Sequence, residues 1–340
     1  MQLDRTEIVV RARSAMELFD LSLQVLKRHA VMIALSSAIL GWPLLLIDSW
    51  VVAWMLGEDA LLTVERLEQP LTALRWRHAT HLIALFIVQF PLISLPTSIY
   101  LGHQIFYEAM PLRRLLMRLW PIAGRCLLVL GIARLGLVGL ILEPWVDRSQ
   151  AFDVRIELGL IFGSALCALL IRIARPFAPE ILGLELCRLR SRRPGDITYR
   201  QRSHSLHRYL FSEHLSRFMA AAFFVTLLFL SLLAAQLFVI GASTGHWQWN
   251  GWFDYVGLPL SLWSVGLFVA VFRFLSYLDS RIRLEGWEVE LRLKAEAARL
   301  DPPARVATEA KEQLGPSGLA HDELKLLVPE LVSTTEKSSP

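Results

Sequence analysis

Residues 31–56, 82–107, 116–142, 158–182, 218–240 and 255–278 form six apolar runs. Each is long enough to cross about 30 Å of hydrocarbon at a helical rise of about 1.5 Å per residue. In lipid no water satisfies backbone amides and carbonyls, so a crossing run must satisfy them internally, which a helix does. The expectation is an all-α integral membrane helical bundle of about six transmembrane helices. Composition excludes the alternative of a water-soluble core of this size, because the 340 residues are 54% apolar and only 19% charged, with mean hydropathy +0.44. Eleven Trp and seventeen Phe suit a chain that meets a lipid interface.

Lys and Arg in the flanks orient the runs. Arg11, Arg13, Lys27 and Arg28 precede the first run, Arg113, Arg114 and Arg118 lie between the second and third, and seven arginines from Arg188 to Arg208 follow the fourth. Positive flanks mark cytoplasmic sides, so N and C termini are both expected in the cytoplasm of a multi-pass protein of the cell inner membrane. The connection from Glu143 to Asp153 is acidic, and that from Gly241 to Trp252 lacks Lys and Arg but carries Trp247, Trp249 and Trp252. The span from Gly57 to His81 fits less well, since Arg66, Arg75 and Arg77 offset its acids.

Ahead of the first run, residues 14–28 place Met16, Phe19, Leu23 and Leu26 on one stripe, with Ser14 and Glu17 spaced as a capping box. An amphipathic interfacial helix on the bilayer is expected there. Similar basic lead-ins at 110–119 and 206–218 suggest a threefold internal repeat, although any cytoplasmic entry to a span is basic. The domain reading is an N-terminal segment 1–30, a transmembrane domain 31–278, a charged cytoplasmic helix 279–300 and a disordered tail 301–340. No cleavable signal peptide is read, because about thirty mixed-charge residues precede the first long run. Cys126, Cys167 and Cys187 lie in or beside apolar runs without metal-ligand spacing and read as buried thiols.

Charges inside the runs are where chemistry is sought, since each costs roughly 3 kcal/mol near the bilayer centre unless paired or hydrated. Counted from the cytoplasmic ends, Asp48, Arg134 and Arg172 fall about 22–26 Å deep, and Arg125, Glu180 and Arg273 about 10–12 Å deep. Each layer holds one carboxylate, so Asp48 is expected to neutralise the outer arginines and Glu180 the inner ones. The competing reading is that the arginines snorkel and the pairs only hold helices together. Pro91 with Pro96 and Pro176 with Pro179 interrupt two runs, and Gln89, Thr97, Ser98, His103 and Gln104 make the second the most polar, so it should face the interior.

Arg188, Arg190, Arg192, Arg193, Arg200 and Arg202, beside a membrane end, read as contacts to anionic lipid headgroups rather than to nucleic acid. His204, His207 and His214 share a helical stripe but lack the carboxylates or convergence of a metal site. No phosphate-binding loop, nucleophile elbow, zinc-protease motif or dinucleotide fingerprint occurs, so no catalytic residue, metal or cofactor is assigned.

Three stretches carry a resemblance: Arg175-Pro-Phe-Ala-Pro-Glu-Ile-Leu-Gly-Leu-Glu185, Ile197-Thr-Tyr-Arg-Gln-Arg-Ser-His-Ser-Leu-His207 and Tyr277-Leu-Asp-Ser-Arg-Ile-Arg-Leu-Glu-Gly-Trp-Glu-Val-Glu-Leu-Arg292. They resemble polytopic membrane proteins of Planctomycete-type bacteria that have no assigned activity. The Tyr-x-Asp-x-Arg-x-Arg-x-Glu-Gly element is also similar to the end of the family that resembles the membrane domain of glycerophosphoryl diester phosphodiesterases. The resemblance implies a six-helix inner-membrane protein and transfers no catalytic residue. The functional expectation is a non-catalytic scaffold or accessory subunit that offers 279–300 to a protein partner. The alternative is a transporter or a protein that handles lipid or anions through its intramembrane arginines.

Overall fold

The computed structural model describes residues 13–57, 71–105, 110–143, 157–190, 197–208, 211–245, 247 and 249–286, all within one compact unit, residues 1–288. The described residues are helical, with a single isolated bridge between Arg188 and Thr198 and no strand. The expected tail 301–340, Arg192 and Arg193 lie outside the described residues.

Helix α1 (Ala15–Val52) begins at the capping box read from the sequence, where Ser14 Oγ accepts from Glu17 N and Glu17 reaches back to Ser14 N. It kinks at His29 (φ −116°, ψ 23°), where lead-in meets apolar run. The lead-in is therefore the first turns of α1 and packs on the bundle. Leu18 and Phe19 are buried, with Phe19 stacked 4.5 Å from Phe272, whereas Met16 and Leu23 are 78% and 45% exposed. The buried face is offset from the expected stripe, because Leu18 and Leu21 widen the apolar face beyond Met16, Phe19, Leu23 and Leu26.

Helices α2 (Leu71–Ile93) and α3 (Leu95–Gln104) meet at Ser94, whose N–H and hydroxyl both bond Phe90 O, so the Pro91 and Pro96 interruptions leave a nearly continuous rod. This rod is mostly enclosed by the others, as its polar content requires, and Gln89, Ser94, Thr97 and Ser98 are all buried. The third apolar run is less regular. Helix α4 (Leu112–Leu119) leads through short helical turns to a π-helical stretch, Leu127–Ala133, and the chain then breaks before α5 (Val138–Leu142). Leu135 takes φ +65° at the break.

The fourth run is also broken, by Arg175 (φ −145°, ψ 73°) and Pro176, into α6 (Gly163–Ala174) and α7 (Ala178–Gly183). After α8 (Tyr199–His207) come α9 (Phe211–Thr244) and α10 (Leu258–Glu285), the latter preceded by a π-turn at Phe253–Gly257 and closed by Gly286 at φ +68°. Residues 279–285 thus complete α10 and do not open a new helix; the rest of the expected cytoplasmic helix, 287–300, lies outside the described residues.

Among the described residues five helical segments are long and apolar enough to cross a membrane: Ala15–Leu56, Ala73–Gln104, Leu112–Ala133, Phe211–Thr244 and Phe253–Glu285. The expected fourth span, 158–182, is not among them, because its break leaves only Gly163–Ala174 as a short apolar helix. Two ends of the bundle are defined by charge. Arg13 and Asp279 meet at the proximal end, while Arg77 stacks over Trp54 and Arg75 pairs with Asp254 at the distal end. From Asp254 to Asp279 the nearly continuous helix spans about 37 Å, a little more than a hydrocarbon core.

Candidate functional site

Among the described residues, one fully buried carboxylate, Glu180, lies in the bundle interior among arginines. Glu180 sits in the first turn of α7, turned inward because the break at 175–177 re-aims the chain. Its Oε1 accepts from Arg273 Nε and from Ser98 Oγ, each at 2.9 Å, and Arg273 Nη2 donates to Ser98 Oγ at 3.1 Å. Arg172 donates to the Ile87 carbonyl. Its guanidinium lies 5.4 Å from the Phe90 ring centre, and that of Arg273 lies 5.5 Å from the same ring. Arg134 donates to the Tyr199 hydroxyl at 3.3 Å and lies within electrostatic reach of Arg172 and Arg273. Arg172 Nε and Glu180 Oε2 are buried without a hydrogen-bond partner.

Glu180 therefore pairs with Arg273, as read from depth, and the remaining pairings differ. Asp48 accepts from Gln89 at 2.5 Å and has no cation beside it among the described residues; its Oδ2 and Gln89 Oε1 are both unpartnered. Arg134 and Arg172 do not neutralise it. Arg125 donates to the carbonyls of Leu186 and Cys187 at 3.1 and 3.3 Å rather than to Glu180. The third run is π-helical over Leu127–Ala133 and the fourth is broken at Arg175, so a uniform helical rise does not give the depths of Arg134 and Arg172.

At the proximal end the Tyr277–Gly286 element is the hub of an ionic network. Asp279 is 1% exposed and accepts from Arg217 at 2.5 Å, from the Arg13 backbone at 2.8 Å, and pairs with Arg283 at 3.0 Å. Glu213 also pairs with Arg217 and Arg283. Beside it, Glu185 accepts from Arg202 Nε at 2.6 Å and from the Tyr277 hydroxyl at 2.7 Å, and Glu285 pairs with Arg202 and Arg281. Bonding to Glu185 holds the Arg202 guanidinium above its ordinary pKa. Arg202, expected to meet lipid headgroups, is thus spent on Glu185 and Glu285, whereas Arg188, Arg190 and Arg200 are exposed. Burial pushes the neighbouring Cys187 thiol up to about 11, consistent with an inert thiol.

The histidine stripe also has a packing role. Phe177 fills the break in the fourth run and is flanked by His207 at 5.3 Å and His214 at 5.0 Å between ring centres, while His204 is exposed. His207 Nε2 accepts from Phe177 N at 3.5 Å and its Nδ1 faces Ser203 O, which assigns a neutral ring, and burial lowers its pKa to about 4. Among the described residues no group of three or more His, Cys, Asp or Glu is placed to hold a metal ion.

One cluster went unread in the sequence. At the distal end Arg77 donates to Glu157, whose other oxygen lies 3.2 Å from His81 Nε2, and His81 Nδ1 lies 3.0 Å from Glu143. His81, Glu143 and Glu157 are each at most 1% exposed. Their positions in polar connections suggested solvent; the signal that was available is that Glu143 and Glu157 each border an apolar run.

No family model, no curated protein and no solved structure gives a significant match to the chain.

Proposed function

We propose that the chain is a multi-pass protein of the bacterial inner membrane that crosses the bilayer six times and acts without catalysis, as a scaffold or accessory subunit. Its kinship with the Planctomycete-type membrane proteins belongs to this proposal, resting on the stretches 175–185, 197–207 and 277–292. Six crossings are supported by the meeting of Arg13 with Asp279, which puts the start of α1 and the end of α10 at one end and requires an even number. Residues 157–185 supply the sixth, since Glu157 belongs to the distal cluster and Glu185 to the proximal network. The basic connections place the proximal end in the cytoplasm.

The accessory role is carried by one observation. The proximal charges neutralise one another across several elements of the chain, an arrangement that fixes structure and leaves Asp279 and Glu185 engaged. The test pairs two measurements on the full chain. Reconstituted alone in vesicles of bacterial phospholipid, it is expected to move neither chloride nor phosphate, and affinity capture is expected to recover a partner that is lost when residues 287–340 are removed. Anion flux abolished by Arg172→Ala would sink the accessory role.

That outcome would favour a second reading, handling of an anion, which has its own observation. Arg134, Arg172 and Arg273 stand in the bundle interior with Glu180 as the one carboxylate bonded among them.

A further inference from the structure

We infer that Asp48 and Gln89 form a proton-binding site inside the bundle, where the carboxyl takes up one exchangeable proton. Asp48 comes from α1 and Gln89 from α2, and both are at most 1% exposed. Gln89 Nε2 donates to Asp48 Oδ1 at 2.5 Å, and this bond leaves Asp48 Oδ2 and Gln89 Oε1 as buried acceptors without a hydrogen-bond partner. Two acceptors do not satisfy each other, and an ionised carboxylate offers acceptors alone. A proton on Oδ2 makes that atom a donor for Gln89 Oε1, so that acid and amide exchange two hydrogen bonds and neither oxygen is orphaned.

The charges around the site lead to the same ligand. At the distal end Arg75 pairs with Asp254 at 3.5 Å and Arg77 with Glu157. His81 lies 3.0 Å from Glu143 through one ring nitrogen and 3.2 Å from Glu157 through the other, so its positive form is matched by those two acids. His78 packs against the Tyr255 ring. Deeper in the bundle, Arg134 bonds the Tyr199 hydroxyl, Arg172 the Ile87 carbonyl and Arg273 Glu180. Glu143 lies within electrostatic reach of Asp48 and adds a second negative charge, which raises the cost of an ionised Asp48. A buried carboxylate without a counter-ion is the costly case, and a proton removes that cost without calling on another side chain. Metal cations such as calcium and magnesium gather about six oxygen ligands, whereas the open acceptors here are Asp48 Oδ2 and Gln89 Oε1. A carboxyl that gains and loses a proton at depth is the element from which membrane proteins build proton coupling. The site is independent of the accessory role and of the interior arginines.

The test is infrared difference spectroscopy on the full chain in phospholipid nanodiscs, titrated from alkaline to neutral pH in potassium buffer. The wild-type chain is expected to gain a protonated-carboxyl C=O band that Asp48→Asn lacks, and to take up about one proton more than that variant. Gln89→Leu keeps the acid and removes the amide, so the band is expected to remain and to move to higher frequency as its carbonyl loses a donor. Carboxyl-labelled [13C]aspartate in the wild-type chain is expected to lower the frequency of the same band, which assigns it to aspartate without relying on either variant to fold. Identical carbonyl regions in wild type and Asp48→Asn, or a band that the label does not move, would overturn the site. A band that Gln89→Leu leaves in place would overturn the pairing with the amide. Disappearance of the band when sodium replaces potassium would put a metal cation on the carboxylate and overturn the assignment to a proton.

Discussion

Arg273 and Glu180 share one hydroxyl: Ser98 Oγ donates to Glu180 Oε1 at 2.9 Å and accepts from Arg273 Nη2 at 3.1 Å, so α3, α7 and α10 are joined at one buried point inward of the proximal network. A buried pair of this kind is strained when broken from one side, because the remaining charge has no solvent to return to.

Glu180→Gln should therefore lower stability by roughly 3–5 kcal/mol, read as a lower unfolding midpoint of the purified protein in detergent. Ser98→Ala should cost about 1 kcal/mol, since the ion pair persists without it. Replacing both charges, with Glu180→Leu and Arg273→Met, should recover much of the loss; a double variant as unstable as the worse single one would show that the pair is not the unit.

Asp48 is predicted to behave in the opposite way. Its carboxyl receives one hydrogen bond from a neutral amide and faces a second unpartnered acceptor, Gln89 Oε1. Asp48→Asn brings N–H donors to that place and removes a charge that has no counter-ion beside it, so stability should hold within about 1 kcal/mol or rise. A loss comparable with that of Glu180→Gln would mean that the charge itself is needed.

Asp279 anchors the start of α1, so Asp279→Asn should weaken the contacts to Arg217 and Arg283 together, at about 2–4 kcal/mol. The local readout is limited proteolysis, where cleavage near Arg13 should accelerate before the bundle as a whole unfolds.

His207 makes stability depend on pH. Its folded pKa of about 4 lies below the ordinary histidine value, so between about pH 6.5 and 4 the unfolded chain binds the extra proton and the folded chain does not. The His207 contribution is complete above about pH 6.5 and is lost as pH falls toward 4, by roughly 2–4 kcal/mol. His207→Gln, which keeps an acceptor for Phe177 N, should flatten that part of the profile in thermal unfolding measured across the range.

Gly136 lies in the break that follows the π-helical stretch, where an added Cβ would stand 2.2 Å from the Leu130 carbonyl oxygen. That atom is backbone and is itself the acceptor for Gly136 N, so it cannot give way cheaply. Gly136→Ala should destabilise by roughly 2–4 kcal/mol, whereas Gly124→Ala, which meets nothing within 4 Å, should not.

Much of this architecture was legible because the apolar runs leave the backbone few choices. The kink at His29 and the capping box at Ser14 both fall where a change of composition announced them. The break in the fourth run was flagged by Pro176, but the break at Leu135 carries no proline and no such flag. Pairing was harder, since a depth count assumes unbroken helices. Glu180 meets Arg273 although it lies in the first turn after the break in the fourth run, and Arg134 and Arg172 also border breaks, so a uniform rise does not itself select the pairs. The chain Arg77, Glu157, His81, Glu143 was hidden for another reason, because burial of a connection is a tertiary event with no local signature.

Phe90 is shared by two guanidinium groups of like charge. With Arg172 5.4 Å and Arg273 5.5 Å from its centre, the negative potential of the ring attracts both and partly offsets their mutual repulsion. An aromatic ring at this position is a neutral partner common to both cations, which lets them be concentrated where a second carboxylate would cancel the field they create. The interior can thus remain electropositive without a bound counter-ion for every arginine.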